Sequence, residues 1–158
     1  MTPKAEEFVH LEECVRSLNE AWSVLQDLRA TTHRTVVHAA AFRYALVAYA
    51  RPYTRSDGEH KKGRTPYMLP APKLPPEDLT LHRLILELRH QVLAHTDLTV
   101  KQARVYLGRP GERANVCIAS NSVPAFPHID AVIDLIERTL DLLYAQRTQS
   151  EENLARTT

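Results

Sequence analysis

At 158 residues the chain is long enough for one domain with a single sizeable core and too short for two of ordinary size. Its hydrophobic share of 44% and charged share of 25% are those of a soluble globular protein, and no apolar run approaches the length of a bilayer span. A formal net charge of +1 excludes a protein that coats nucleic acid by bulk charge, so any polyanion must be met by a local patch.

The leading segment, Met1-Thr2-Pro3-Lys4-Ala5-Glu6-Glu7, carries acids where an export signal would need a basic lead and a greasy stretch, so the expected location is cytoplasmic. Thr2 and Pro3 supply a cap and a first-turn proline. Phe8, Leu11, Val15, Leu18, Trp22 and Leu25 then recur three or four apart, which predicts a long amphipathic first helix. The segment from Thr32 to Ala50 is crowded with alanine, whose small side chain lets a neighbouring helix approach closely; it is expected to be the most buried helix.

Between residues 51 and 76 the prolines at 52, 66, 70, 72, 75 and 76 forbid a continuous helix or a central strand and predict a long, solvent-facing crossover. Its basic residues Arg51, Arg55, Lys61, Lys62 and Arg64 outnumber Asp57 and Glu59. With Tyr53 and Tyr67 interleaved, they form a candidate RNA-guiding surface by charge and stacking; the plainer reading is a solvated charged loop. The same two readings cover Lys101, Arg104 and Arg109 further on.

A third helix is expected from about Pro76 to His95, with Leu81, Leu84, Ile85, Leu88 and Val92 on one face. The period then changes. Ala103, Val105 and Leu107 alternate with polar neighbours, and Val116 and Ile118 recur after the turn Arg109-Pro110-Gly111-Glu112, which predicts a small β-hairpin within 99–122. Pro124 and Pro127 open a last helix with Ile129, Val132, Ile133, Ile136, Leu140 and Leu143 on its apolar face, and the tail 147–158 is expected to fray. The predicted fold is therefore a single domain over 1–158, mainly all-α: an up-and-down bundle of four main helices with a Pro-rich crossover and a hairpin insertion.

Cys14 and Cys117 lack any CxxC spacing and read as small buried apolar residues. Glu-x-x-His occurs at Glu7–His10 and at Glu87–His90, a spacing used by di-iron bundles. Such a site also needs a Glu from each of two other helices, and no Asp or Glu stands between Thr31 and Ala50. His33 and His38 are five apart and make a poor ligand pair on a helix, so no metal site and no cofactor are expected.

Chemistry concentrates in Arg89-His90-Gln91-Val92-Leu93-Ala94-His95-Thr96-Asp97. At about 100° and 1.5 Å per residue, His95 lies roughly 120° around and about 9 Å along from Arg89 on a regular helix. That projection sets His95 among Leu84, Leu88 and Val92, with Arg89 at the rim of the same face. An imidazole beside a guanidinium is a way to hold a phosphate and move a proton. Spacing alone selects nothing, since Arg55 and His60 form a similar pair, and a histidine near a helix end more often caps carbonyls.

Together with Leu88, this block resembles the signature of the HEPN superfamily of helical bundles: an Arg, a polar residue and, after a short apolar spacer, a His. Arg89, His90 and His95 fill those places, and the helix order is similar to that of HEPN proteins of abortive-infection type. The resemblance implies a metal-independent endoribonuclease working in a homodimer cleft, in a toxin or phage-defence setting, with an antitoxin or defence protein as a possible partner. Non-catalytic relatives in that superfamily serve as dimeric adaptors or RNA-binding modules, which is the competing expectation. In the catalytic reading His95 is the base for the ribose 2′-hydroxyl, Arg89 clamps the phosphate through its planar donor fork, and His90 assists or orients. A single imidazole cannot give and take a proton at once, so two such pairs across a dimer would supply the acid. Some toxin members carry a tyrosine two residues after the motif histidine; Asp97 stands there, so regulation through such a tyrosine is not implied.

Overall fold

Thr2 and Pro3 begin the first helix as their chemistry dictates. The Thr2 hydroxyl accepts a hydrogen bond from the Ala5 N–H at 3.2 Å, and Pro3 occupies the first helical position, where a missing N–H costs nothing. The computed structural model describes residues 1–31, 35–61, 66–90, 102–106, 115–119 and 126–155. Four helices dominate them: α1 (Pro3–Ala30), α2 (Val36–Ala50), α3 (Pro76–Leu88) and α4 (Ile129–Ala155). No described helix is long and apolar enough to cross a membrane.

The spine is the pairing of α1 with α4, each about 40 Å long. Glu12 meets Arg147, Asn19 meets Tyr144, Trp22 meets Glu137 and Arg29 meets Asp130, so an advance along α1 is matched by a retreat along α4 and the pair is antiparallel. The expectation of a tail frayed from residue 147 is corrected by this pairing. α4 runs to Ala155, and Arg147 lies 2.7 Å from Glu12 and 3.2 Å from Glu151 one turn on.

Leu18, Ala21 and Leu25 of α1, Leu46 and Tyr49 of α2, Ile85 and Leu88 of α3, and Ile133 and Ile136 of α4 form one core, and each is fully or almost fully buried. The alanine-rich second helix, expected to be the most buried, is buried over its C-terminal half and exposed over its first turns. Ala45, Ala48 and Ala50 are sealed, whereas Val36 is 87% exposed and Val37 76% exposed. With Ala40 and Tyr44 they form an apolar stripe on the outer side of the helix, because only the C-terminal half of α2 meets the core.

The crossover is anchored rather than solvent-facing throughout. Pro52 and Tyr67 are buried, and Ser56 and Tyr67 exchange backbone hydrogen bonds at 2.9 and 2.8 Å. The Glu6 carboxylate, from the first turn of α1, accepts from the N–H groups of Glu59 and His60 and from the Tyr67 hydroxyl. Gly58 fits under it because a Cβ there would collide with that carboxylate and with the Tyr67 ring. Within the expected hairpin insertion, the backbone of β1 (Gln102–Tyr106) runs antiparallel to β2 (Asn115–Ala119), with Arg104 opposite Cys117; the turn 109–112 lies outside the described residues.

Candidate active site

α3 leads into Arg89 and His90, the described part of the motif, and its placement rests on a few specific contacts. Asp78, 5% exposed, receives both arms of Arg138 from α4, with Nε 2.7 Å and Nη2 2.9 Å from the two carboxylate oxygens. One turn on, His82 is 2% exposed and its Nδ1 lies 2.8 Å from the Tyr49 hydroxyl of α2. The Tyr53 ring, from the 3-10 turn that follows α2, meets His82 edge-on at 4.5 Å between centroids. Burial, with Arg83 next to it, holds the His82 imidazole below its ordinary value, so the neutral form is favoured; in the tautomer with its proton on Nε2, Nδ1 accepts from the Tyr49 hydroxyl. Burial also pushes the Tyr49 and Tyr53 hydroxyls upward, so both remain phenols. The Tyr53 hydroxyl is buried near those of Tyr49 and Thr139, yet has hydrogen-bonding geometry to neither.

At the other end of α3, Arg89 closes the helix. Its N–H is shared between the carbonyls of Ile85 and Leu86, and Arg89 and His90 then widen into a π-type turn. The regular 100° step used to project His95 from Arg89 therefore does not hold across these two residues. Arg89 is half-buried and His90 exposed; His95 lies outside the described residues. No carboxylate among the described residues pairs with Arg89.

The loop cations differ from Arg89 in this respect. Arg51 lies 3.2 Å from Glu20 and its guanidinium sits 5.4 Å from the Tyr44 ring centroid. Arg55 is 3.9 Å from Asp57, and Lys61 is 2.7 Å from Glu7 with its ammonium 4.8 Å from the Tyr67 ring centroid. Each is thus engaged within the chain, while Lys62 and Arg64, like Lys101 and Arg109, lie outside the described residues. Tyr67, expected as a stacking surface for a base, is buried under His10 at 4.9 Å, and its hydroxyl is pushed up to about 12 by burial and by the bond to Glu6.

The two Glu-x-x-His pairs stay apart from one another. Glu7 is bound to Lys61 and His10 stacks on Tyr67, while Glu87 and His90 are exposed on α3. No cluster of three metal-ligating side chains occurs among the described residues. Cys14 is buried beside His10, and its thiol is pushed up to about 12 by burial and by Glu13, which removes it as a nucleophile near neutrality. Glu6, His82 and Asp78 were not singled out from the sequence. A first-turn acid at Glu6 and the i,i+4 spacing of Asp78 and His82 were the only local signals for them.

No family model, no curated protein and no solved structure matches the chain.

Proposed function

We propose that this chain is a HEPN-type up-and-down helical bundle that cleaves RNA without a metal, with Arg89 as phosphate clamp and His95 as base. The observation that carries the reading is Arg89 itself: a half-buried arginine at the end of a core-packed helix, with no acid opposite it among the described residues. Structural arginines in the same fold, such as Arg138 and Arg147, are neutralised by carboxylates. A half-buried arginine with no described acid against it is suited to an incoming phosphate, and its planar fork can grip two oxygens at once. The π-type turn at Arg89 and His90 is of the kind often found at functional sites.

The reaction is an attack by the ribose 2′-oxygen on the adjacent phosphorus. His95 takes the 2′ proton, Arg89 stabilises the charge gathering on the phosphate oxygens, and the 5′-oxygen leaves with a proton from the second subunit's imidazole. The homodimer this requires has a candidate face in the exposed stripe Val36, Val37, Ala40 and Tyr44. That stripe also supports the second reading, a non-catalytic dimeric adaptor or RNA-binding module in which the same surface does the work. With Arg51, Arg55 and Lys61 engaged inside the chain, RNA contact is assigned chiefly to the α3 end. A cytoplasmic toxin or phage-defence role, with or without an antitoxin, is the setting we favour.

The test is an RNA digest in excess chelator. The catalytic reading expects 2′,3′-cyclic phosphate ends, no cleavage at a 2′-deoxy linkage, and loss of activity in His95→Ala with unchanged helicity. Intact RNA from a dimeric preparation, with His95→Ala binding RNA as the parent does, would establish the adaptor instead.

A further inference from the structure

The buried cluster around His82 lies about two turns before Arg89, about 10 Å along the chain of α3, and brings α3 together with α2, the 3-10 turn and α4. From α2 comes the Tyr49 hydroxyl at 2.8 Å, and from the 3-10 turn the Tyr53 ring at 4.5 Å. From α4 come Arg138, held by Asp78, and Thr139, whose hydroxyl donates to the Leu135 carbonyl at 2.7 Å. On α3 itself the charged neighbours are Asp78, already neutralised by Arg138, and Arg83; Cys14 of α1 bears on Tyr53 from behind. No carboxylate in this set is left over to hold an imidazolium.

We propose that His82 is the positioning residue of the motif helix: its neutral imidazole, bonded to Tyr49, fixes the seat of α3 and hence of Arg89, and acid releases that seat. The chemistry is a reversal of one hydrogen bond. In the neutral form with the proton on Nε2, Nδ1 accepts the Tyr49 proton. Protonated, Nδ1–H must donate to the phenol oxygen, and the Tyr49 proton must turn to another acceptor, the nearest being the hydroxyl oxygens of Tyr53 and Thr139. The charge created is buried beside Arg83, and the nearby acid on α3, Asp78, is already held by Arg138, so α3 moves to let water in. Burial depresses the imidazole, which puts this event on the acid side of neutrality.

Hydrogen exchange of the full chain reads the latch without any RNA. After correction for intrinsic rates, amides of Ile85, Leu86 and Leu88 should exchange about tenfold faster near pH 5 than near pH 7.5, while those of Leu18 and Ile136 change less than about twofold. His82→Asn places a hydrogen-bonding atom near the Nδ1 position and cannot titrate, so its α3 amides should respond less than about twofold over the same range. Tyr49→Phe removes the bond from the other side and should open α3 about tenfold more at neutral pH. A flat α3 in the parent, an equal acid response in His82→Asn, or equal opening of α1 and α4 would each overturn the proposal. Its consequence at Arg89 rests on the RNA-cleaving reading: the parent's cleavage should have an acid limb that His82→Asn lacks. If α3 opens as described and no RNA is cut at any pH, the latch stands and the cleavage reading fails.

Discussion

The two ends of α3 treat their charged groups in opposite ways. Near the start, Asp78 is gripped by both arms of Arg138 and His82 is bonded to Tyr49. At the finish Arg89 is half-buried with no described acid against it. Buried polar groups that serve only the fold are satisfied within it, because an orphaned one costs on the order of 1–3 kcal/mol. A partly buried cation with no described acid against it is therefore the group that we propose meets a ligand.

Breaking the satisfied end should have the largest effect on folding. Arg138→Ala strands the Asp78 carboxylate, whose side chain is 7% exposed, and should lower stability by about 2–3 kcal/mol in urea titration. That is less than the loss for a fully buried pair, because the Arg138 side chain is 49% exposed. Arg138→Met should recover little, since the carboxylate remains unpaired. Tyr49→Phe comes next: it leaves the His82 Nδ1 without a donor and should cost about 1–2 kcal/mol.

Acid should weaken that end and the anchor of the crossover on α1. His82 and His10 are both held below their ordinary value of 6.5 by burial, with Arg83 and Lys61 adding to it respectively. The unfolded chain then binds more protons than the folded one on the acid side of 6.5, so the stabilisation is complete above that pH and is lost as pH falls from it toward the depressed folded values. Glu6 acts at lower pH. Burial alone would raise it, but the His60 and Glu59 N–H groups and the Tyr67 hydroxyl outweigh that and hold it below 4.5, so its contribution persists above 4.5 and disappears as pH falls through its folded value. Melting temperature against pH should fall in two stages, and His82→Asn should flatten the upper one.

The smallest effect belongs to the loop cations. Lys61 and Glu7 are 41% and 52% exposed, so Lys61→Ala should cost no more than about 0.5–1 kcal/mol and should leave RNA affinity close to the parent's. A large loss of RNA binding in Lys61→Ala would place the nucleic acid on the crossover and break the contrast between the paired loop cations and Arg89.

What the sequence disclosed follows the range of each signal. The start of α1 was legible because Thr2 and Pro3 act on their immediate neighbours, and the core faces of α1 and α4 because hydrophobic period is local. The extent of α4 was missed although Arg147 and Glu151 sit at helical spacing, because the polar run after Gln146 gains its footing from Glu12, far away in sequence. Apolar composition in α2 showed a helix without showing which side would find a neighbour, so the exposure of Val36 and Val37 could not be read from it. The pairs His82–Tyr49 and Asp78–Arg138, and the Glu6 anchor of the crossover, join residues that only tertiary closure brings together. At the candidate site Arg89 and His90 could be named from the sequence, whereas the π-type turn they form could not, since nothing in the local pattern departs from an ordinary helix there.

The contrast between the two ends of α3 is tested most directly by measuring, on one preparation of Arg89→Ala, both urea stability and the single-turnover rate of metal-free RNA cleavage. The account predicts stability within about 0.5 kcal/mol of the parent and a cleavage rate lower by about a hundredfold or more. A variant that cleaves as the parent does, or one that loses stability as Arg138→Ala does, would show that Arg89 belongs to the scaffold and contradict the assignment.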